Sequence, residues 1–100
     1  AMRLSEAHVR AIRQIVRETA GEQARVSVFG SRVNDRSRGG DLDLLIELPV
    51  PVDAPALLSA RLAARVSRAL AGRRVDVLIS APNLAHLPIH DIARETGTAL

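Results

Sequence analysis

The sequence contains no cysteine, lysine, tryptophan or tyrosine, and Phe29 is its single aromatic residue. Without cysteine, the chain can form neither a disulfide nor a thiolate metal site. One aromatic side chain provides no platform on which nucleic-acid bases could stack, which argues against a nucleic-acid partner. No apolar segment approaches the length that crosses a membrane, so the cytoplasm is the expected location.

What the chain does have is enough apolar material for a modest core. Of its 100 residues, 47% are hydrophobic, and we expect residues 2–100 to form one domain. The core must be built from Leu, Val, Ile and Ala. Every basic residue is arginine and the formal net charge is +3, which slightly favours anionic partners such as nucleotides or an acidic protein face.

Apolar periodicity predicts three helices and three main strands. A first helix runs from Ser5, its expected cap, to about Ala20, where Gly21 stops it. Asp53 is expected to cap the second helix, and Pro88 suits the first turn of the last one. The predicted helices are Ser5–Ala20, Ala54–Ala71 and one within Asn83–Glu95; the predicted strands are Arg25–Phe29, Leu42–Leu48, Val75–Ile79 and an edge strand at Thr98–Leu100. Residues 31–40 should form a helical turn and a loop.

This order of elements predicts an α/β (α+β) fold, a small mixed sheet covered by helices. Strand 1 should run antiparallel to strand 2. The long helical connection should make strand 3 parallel to strand 2.

The first candidate site feature is Gly30-Ser31, directly after strand 1. A glycine there lets a phosphate approach the backbone closely, and a serine that opens a helical turn offers its hydroxyl and neighbouring N–H groups. Taken alone, the pair is more typical of a plain turn that ends a strand.

The second feature is Asp41-Leu42-Asp43 at the start of strand 2. Side chains alternate along a strand, so Asp41 and Asp43 share one face while Leu42 faces the core. Two such carboxylates repel each other unless a cation lies between them, and oxygen ligands suit Mg²⁺ or Mn²⁺. The alternative is a pair of solvated aspartates at a strand edge.

The third feature is Asp76, an acid flanked by apolar residues in strand 3. A carboxylate in that position is costly unless it is paired or binds a metal. Arg73 or Arg74 could provide the pairing. In the predicted topology, however, Asp76 arrives at the same sheet edge as Gly30-Ser31 and the Asp41/Asp43 pair, and three carboxylates beside a phosphate-binding turn are typical of in-line nucleotidyl transfer with one or two divalent ions.

The stretch FGSRVNDRSRGGDLDLLIEL, with RVDVLI downstream, resembles the signature of the DNA polymerase beta superfamily, and its wording is most similar to the minimal nucleotidyltransferase (MNT) proteins. Nine residues separate Ser31 from Asp41, which fits that pattern. The resemblance implies a nucleotidyltransferase fold. It also implies that Asp41 and Asp43 are metal ligands, that Asp76 is a third ligand or the base, and that Gly30 and Ser31 cradle the triphosphate.

By the same resemblance, the chain is a Mg²⁺-dependent enzyme, with Mn²⁺ as a substitute, that transfers AMP from ATP, or another NMP from its NTP, to a hydroxyl of a partner protein. The implied partner is a HEPN-type ribonuclease toxin that the chain neutralises as an antitoxin. The alternative is a non-catalytic antitoxin, a binding module whose nucleotidyltransferase site is vestigial. The third interpretation is an enzyme that adds nucleotides to RNA ends. The single aromatic residue and the absence of an accessory domain argue against it.

Two further patterns carry weaker signals. His86 and His90 are spaced i, i+4, as helical metal ligands would be, but no third ligand is near in sequence, and surface or partner contact is the expected role. The arginine stripes of the first two helices are expected to be solvated faces, with an acidic partner helix as the alternative.

Overall fold

The computed structural model describes residues 4–30 and 42–100. Its elements, in chain order, are α1 (Glu6–Ala20), β1 (Arg25–Phe29), β2 (Leu42–Glu47), α2 (Pro55–Ala69), β3 (Val75–Ser80), α3 (Pro88–Thr96) and β4 (Thr98–Ala99). The helical turn and loop predicted for residues 31–40 lie outside the described residues. None of the described helices combines the length and the apolar character that a membrane crossing requires.

The strands form one mixed sheet in the order β3-β2-β1-β4. β1 is antiparallel to both β2 and β4, and β2 is parallel to β3. The parallel pair follows from the connection through α2, because a helical crossover returns the chain to the same end of the sheet. The predicted fold class and strand directions are therefore confirmed.

The helices cover both faces of the sheet. α1 and α2 pack on the back face, where a core of aliphatic side chains is buried. α3 covers the front face over a smaller cluster of Phe29, Leu45 and Ala93. The largest fully buried side chains are Ile12, Leu42, Leu44, Leu45, Ile46, Leu62, Val16 and Val66. Leu42, Leu44 and Ile46 alternate with front-facing residues, so β2 is anchored along its whole length.

The ends of α1 follow the sequence prediction. The Ser5 hydroxyl accepts a hydrogen bond from the His8 N–H at 3.0 Å, and Gly21 ends the helix with a φ of 105°. The predicted Asp53 cap is wrong. The residue at the cap of α2 is Ala54, which makes no side-chain hydrogen bond, and Pro55 opens the helix. A proline in the first turn lacks an N–H that would need capping, so the helix begins there without a carboxylate.

The segment before α3 is held by side-chain hydrogen bonds to backbone. The Asn83 amide accepts from the Val52 N–H at 2.9 Å and donates to the Val52 carbonyl at 2.8 Å. The helix starts only at Pro88, which confirms its predicted place in the first turn. Because its side chain binds the backbone of the loop after β2, Asn83 lies outside the helix.

Two side chains cover carbonyls on the outer edge of β3. The Ser59 hydroxyl of α2 donates to the Val77 carbonyl at 3.1 Å, and the buried His90 ring of α3 lies 3.0 Å from the Ile79 carbonyl. In the parallel ladder, alternate residues of an edge strand point their backbone groups away from the sheet. Ser59 and His90 therefore satisfy groups that would otherwise attract another strand.

Candidate active site

Two of the three predicted acids lie side by side on neighbouring strands. Asp43 of β2 is the register partner of Asp76 in β3. Register partners on parallel strands point to the same face of the sheet, and their strands lie about 4.8 Å apart. Both carboxylates therefore project from the front face at the amino-terminal ends of the two strands.

β1 ends at the same edge of the sheet. Phe29, its last residue, is the antiparallel partner of Asp43, and the exposed Gly30 follows directly. The buried Phe29 side chain packs on the front face with Leu45, which fixes the end of β1 beside the acid pair. Gly30 is thus placed where the sequence analysis expected the phosphate-binding turn.

The start of β2 is fixed firmly against β3. The Leu42 N–H donates to the Arg74 carbonyl at 2.9 Å, which extends the parallel ladder by one residue beyond Val75. The Leu42 side chain is completely buried on the back face. Because backbone pairing and core packing both fix this residue, Asp43 is held in place by its neighbour in the chain.

Asp76 is an exposed residue on an edge strand. In the described part of the chain, no salt bridge joins it to Arg73 or Arg74, both of which have contacts of their own. Asp76 therefore does not form the ion pair with a neighbouring arginine that was the alternative to metal binding. A carboxylate without such a partner, opposite a second carboxylate, is suited to a cation.

The remaining predicted site residues, Ser31 and Asp41, lie outside the described residues. Within residues 4–30 and 42–100, no group of three His, Cys, Asp or Glu side chains is placed to hold a metal ion. The acid pair nevertheless fits Mg²⁺ in its chemistry, because this ion takes carboxylate oxygens as ligands, needs few of them from the protein and keeps several waters.

Glu47 shares the front face with Asp43 but lies at the opposite end of β2. Its carboxylate accepts a hydrogen bond from the Arg94 Nε at 2.9 Å. It lies four positions along the strand from Asp43, which is about 13 Å. Glu47 is therefore too far from the acid pair to complete it.

The two histidines have a structural arrangement that the sequence analysis did not predict. His90 is buried, not a surface contact: its Nδ1 accepts from the Leu87 N–H at 2.9 Å, which leaves Nε2 to donate to the Ile79 carbonyl. His86 precedes α3, stacks on His90 and bonds Asp91 at 2.8 Å. Both His90 nitrogens are used, so the i, i+4 spacing does not reflect a metal site. The sequence could not predict this role of His90, because it depends on the contact of its ring with the Ile79 carbonyl in the folded chain.

The profile of the nucleotidyltransferase domain family matches residues 9–96, which include both strands of the acid pair. The chain belongs to this family. This match confirms the predicted nucleotidyltransferase fold and the prediction that the chain is a transferase. No curated protein matches the sequence closely enough to serve as a relative.

Two solved structures share the fold of the nucleotidyltransferase domain. One is a chain from the tri-AMPylated Shewanella oneidensis HEPN toxin in complex with MNT antitoxin, with 16% identity and a TM-score of 0.66 over 96% of this chain and 71% of that one. The other is from a mutant of the toxin–antitoxin MntA-HpeT, with 18% identity and a TM-score of 0.62 over 97% of this chain and 71% of that one. At these identities the likeness establishes the fold alone.

Proposed function

We propose that this nucleotidyltransferase domain transfers AMP from ATP to a hydroxyl of a partner protein, with Mg²⁺ as its cofactor and in the cytoplasm. The partner proposed is a HEPN-type toxin, which the modification neutralises, so that the chain acts as an antitoxin. The observation that carries the proposal is the register pairing of Asp43 with Asp76 at the edge where β1 ends in Gly30.

The choice of AMP and of the partner draws on the fold likeness. One of the similar structures contains a HEPN toxin that carries three AMP groups, in complex with an MNT antitoxin. The other is also a toxin–antitoxin protein. This chain has the same fold and belongs to the nucleotidyltransferase domain family. Both facts support AMP as the transferred group and a HEPN toxin as the partner.

The reaction is a substitution at the α-phosphorus of ATP. The acceptor oxygen forms a bond to the α-phosphorus, the bond from that phosphorus to the bridging oxygen of the β-phosphate breaks, and pyrophosphate leaves. The acceptor hydroxyl gives up its proton to Asp76 where this residue acts as the base, and to water where it is a third metal ligand. The products are the AMP ester of the acceptor, pyrophosphate and one proton.

We assign the roles of the chain's own residues as follows. Asp41 and Asp43 hold Mg²⁺, and Asp76 acts as a third ligand or as the base. Gly30 and Ser31 bind the triphosphate through backbone N–H groups and the serine hydroxyl. When bound, Mg²⁺ supplies charge neutralisation of the phosphates and lowers the pKa of the attacking hydroxyl.

The position of Asp76 favours a macromolecular acceptor. Asp76 is exposed on β3, which is an edge strand, so the acceptor can approach from the side of the sheet. The single aromatic side chain, Phe29, is buried and gives no stacking surface for an RNA end. These two facts support a hydroxyl carried by a protein over a nucleotide acceptor.

The test uses the purified chain, the product of the neighbouring gene and ATP labelled at the α-phosphate, with Mg²⁺. Label should appear on the partner and be reduced by about 10²-fold or more in Asp43→Asn and Asp76→Asn, because each removes a charge that the transition state requires. Asp53→Asn is the matched control, since this exposed acid lies in the loop after β2, away from the acid pair.

Label that persists in the Asp43→Asn and Asp76→Asn variants, or that appears equally from ATP labelled at the γ-phosphate, contradicts nucleotidyl transfer. If the Asp41→Ala with Asp43→Ala variant still neutralises the partner, the chain is instead a non-catalytic antitoxin.

A further inference from the structure

The outer side of α2 carries a row of exposed residues, opposite the side that packs on the sheet and on α1. The buried Leu62 and Val66 belong to the core. On the other side of the helix, exposed residues follow one another at intervals of three or four positions, which places them on one face. They are Leu57, Ala60, Arg61, Ala64 and Arg68. We call them the α2 stripe, which extends over about three turns of the helix, or about 16 Å.

The α2 stripe carries positive charge that its own helix does not offset. α2 contains three arginines and no acidic residue. In the described part of the chain, neither Arg61 nor Arg68 forms a salt bridge. The acid nearest to Arg61 in sequence is Asp53, which precedes the helix. The stripe therefore has two guanidinium groups available for a partner.

One acid of α1, Glu18, reaches α2, and both of its oxygens are occupied. Oε2 accepts a hydrogen bond from Gln14 at 2.6 Å, and Oε1 accepts one from Arg65 at 2.8 Å. These two hydrogen bonds lower the pKa of Glu18. Glu18 also lines the shallow pocket between the helices with Arg61 and Arg65, so two guanidinium groups face a single carboxylate there. The two helices together contain six arginines and two glutamates, so this helical layer has an excess of positive charge.

The α2 stripe also offers apolar contact area, which favours a helix as its occupant. The Leu57 side chain is 52% exposed. Ala60 and Ala64 are one turn apart, and their small side chains allow the backbone of another helix to approach closely. The helix has no aromatic residue on which nucleic-acid bases could stack. A helix that presents carboxylates beside apolar side chains matches both the charge and the apolar surface of the stripe.

A second copy of this chain is a poor occupant for the α2 stripe. Two α2 helices packed against each other would bring Arg61 and Arg68 of both copies into one interface. Like charges that are juxtaposed in an interface oppose association. The charge of the stripe therefore favours a different, acidic protein.

We propose that the α2 stripe binds an acidic amphipathic helix of a partner protein. Its place in the fold suits this role. α2 ends shortly before β3 begins, so Arg68 lies at the end of the fold that holds Asp76. The hydrogen bond from Ser59 to the Val77 carbonyl, at 3.1 Å, holds α2 against the edge of β3. A partner on the stripe therefore lies beside the edge from which the acceptor is proposed to approach. That this partner is the acceptor rests on the proposed function, whereas binding of an acidic helix does not.

The test measures binding of a fluorescein-labelled helical peptide to the full chain by fluorescence anisotropy, without nucleotide. The peptide consists of Ala, Leu and Glu, with the leucines on one face and the glutamates beside them. The buffer contains about 0.15 M salt, in which charges more than about 8 Å from the peptide are largely screened. Arg61→Gln with Arg68→Gln should raise the Kd about tenfold or more, because two charge-assisted contacts are lost. Arg13→Gln with Arg25→Gln is the matched control, since it removes the same charge beside the cleft between α1, β1 and β4, and should change the Kd less than about twofold.

Two further measurements separate a docked helix from simple attraction of charges. Leu57→Ser keeps the charge of the chain and should raise the Kd about threefold or more, because less apolar surface is buried on binding. A peptide of the same composition with its leucines and glutamates spread evenly around the helix should bind more weakly than the amphipathic peptide.

Equal loss of binding in the two arginine double variants overturns the proposal, because the attraction is then one of net charge alone, and so does the absence of saturable binding to the wild-type chain. A fluorescein-labelled oligouridylate of equal charge that binds more tightly, with the same dependence on Arg61 and Arg68, also overturns it and assigns the stripe to nucleic acid. A dimer of the wild-type chain in sedimentation velocity that Leu57→Ser dissociates overturns it in favour of a second copy. Failure of AMP transfer with peptide binding intact removes the proposed function and supports the proposal for the stripe.

Discussion

Asp43 and Asp76 lie directly opposite each other on the parallel strands β2 and β3. Like charges in such a cross-strand pair destabilise the sheet by about 0.2–1 kcal/mol, and a divalent ion between them removes the repulsion. We therefore expect a cation bound between the two carboxylates to stabilise the sheet at this edge. This relationship leads to the first prediction.

Mg²⁺ should stabilise the wild-type chain and not its acid-pair variants. At ten times the Kd, binding adds about 1.4 kcal/mol, which raises the Tm of a chain of this length by about 5–10 °C. Asp76→Asn should raise the metal-free Tm by about 1–5 °C and abolish the response to Mg²⁺. Differential scanning fluorimetry checks both effects. An Asp53→Asn control should respond to Mg²⁺ like the wild type, and an equal response in Asp76→Asn would argue against metal binding by the pair.

His90 should be a stability determinant and its stacking neighbour His86 should not. Replacing His90 with Leu leaves the Leu87 N–H and the Ile79 carbonyl without their partner, which costs about 2–3 kcal/mol. His86→Leu removes an exposed contact to Asp91 and should cost less than about 1 kcal/mol. Urea unfolding of both variants measures the difference. Equal costs would show that the buried hydrogen bonds of His90 contribute little.

Gly97 should not tolerate a side chain, although its φ is one that any residue can adopt. A Cβ at this position would lie 2.5 Å from the Ala93 carbonyl oxygen, so the junction of α3 and β4 would have to shift. We expect Gly97→Ala to cost about 1–3 kcal/mol through this overpacking. Gly72→Ala meets no atom within 4 Å and strains only a φ of +84°, which makes it the comparison. A smaller loss of unfolding free energy for Gly97→Ala than for Gly72→Ala would contradict the packing argument.

Ala71 follows α2 with a φ of 61°, a left-handed conformation that suits glycine. Ala71→Gly should therefore stabilise the chain by about 0.5–1 kcal/mol, because the relief of backbone strain outweighs the added freedom of the unfolded chain. Ala64→Gly, an exposed position in the middle of the helix, should destabilise it by about 1 kcal/mol. Chemical denaturation of the two variants gives the comparison. The same sign for both changes would refute it.

Local pattern was enough to predict most of the sheet. LDLLIE and VDVLIS each place an acid one residue after an apolar residue that faces the back, so a parallel alignment of β2 with β3 brings Asp43 and Asp76 together. The helical connection between the two strands predicted that they run parallel. The edge strand β4 was predicted as Thr98–Leu100 and is shorter, Thr98–Ala99.

What local pattern could not predict depends on contacts between distant residues. The burial of His90 requires the Ile79 carbonyl of an edge strand, and the use of Asn83 as a strap requires the Val52 backbone 31 positions away. Asp53 has the right residue type for a cap, but Pro55 already opens α2. The roles of Ser31 and Asp41 remain predictions from the sequence.

The most direct test of the central claim, that the edge formed by Asp43, Asp76 and Gly30 holds a divalent ion, is a Mn²⁺ titration of the ¹⁵N-labelled chain in the presence of a non-hydrolysable ATP analogue. The paramagnetic ion broadens amide resonances near its binding site. We predict selective broadening at Gly30, Asp43 and Asp76, with Glu47 and Asp53 affected last. Broadening that begins at Glu47 or Asp53, or that spreads evenly over the acids of the surface, would contradict the account.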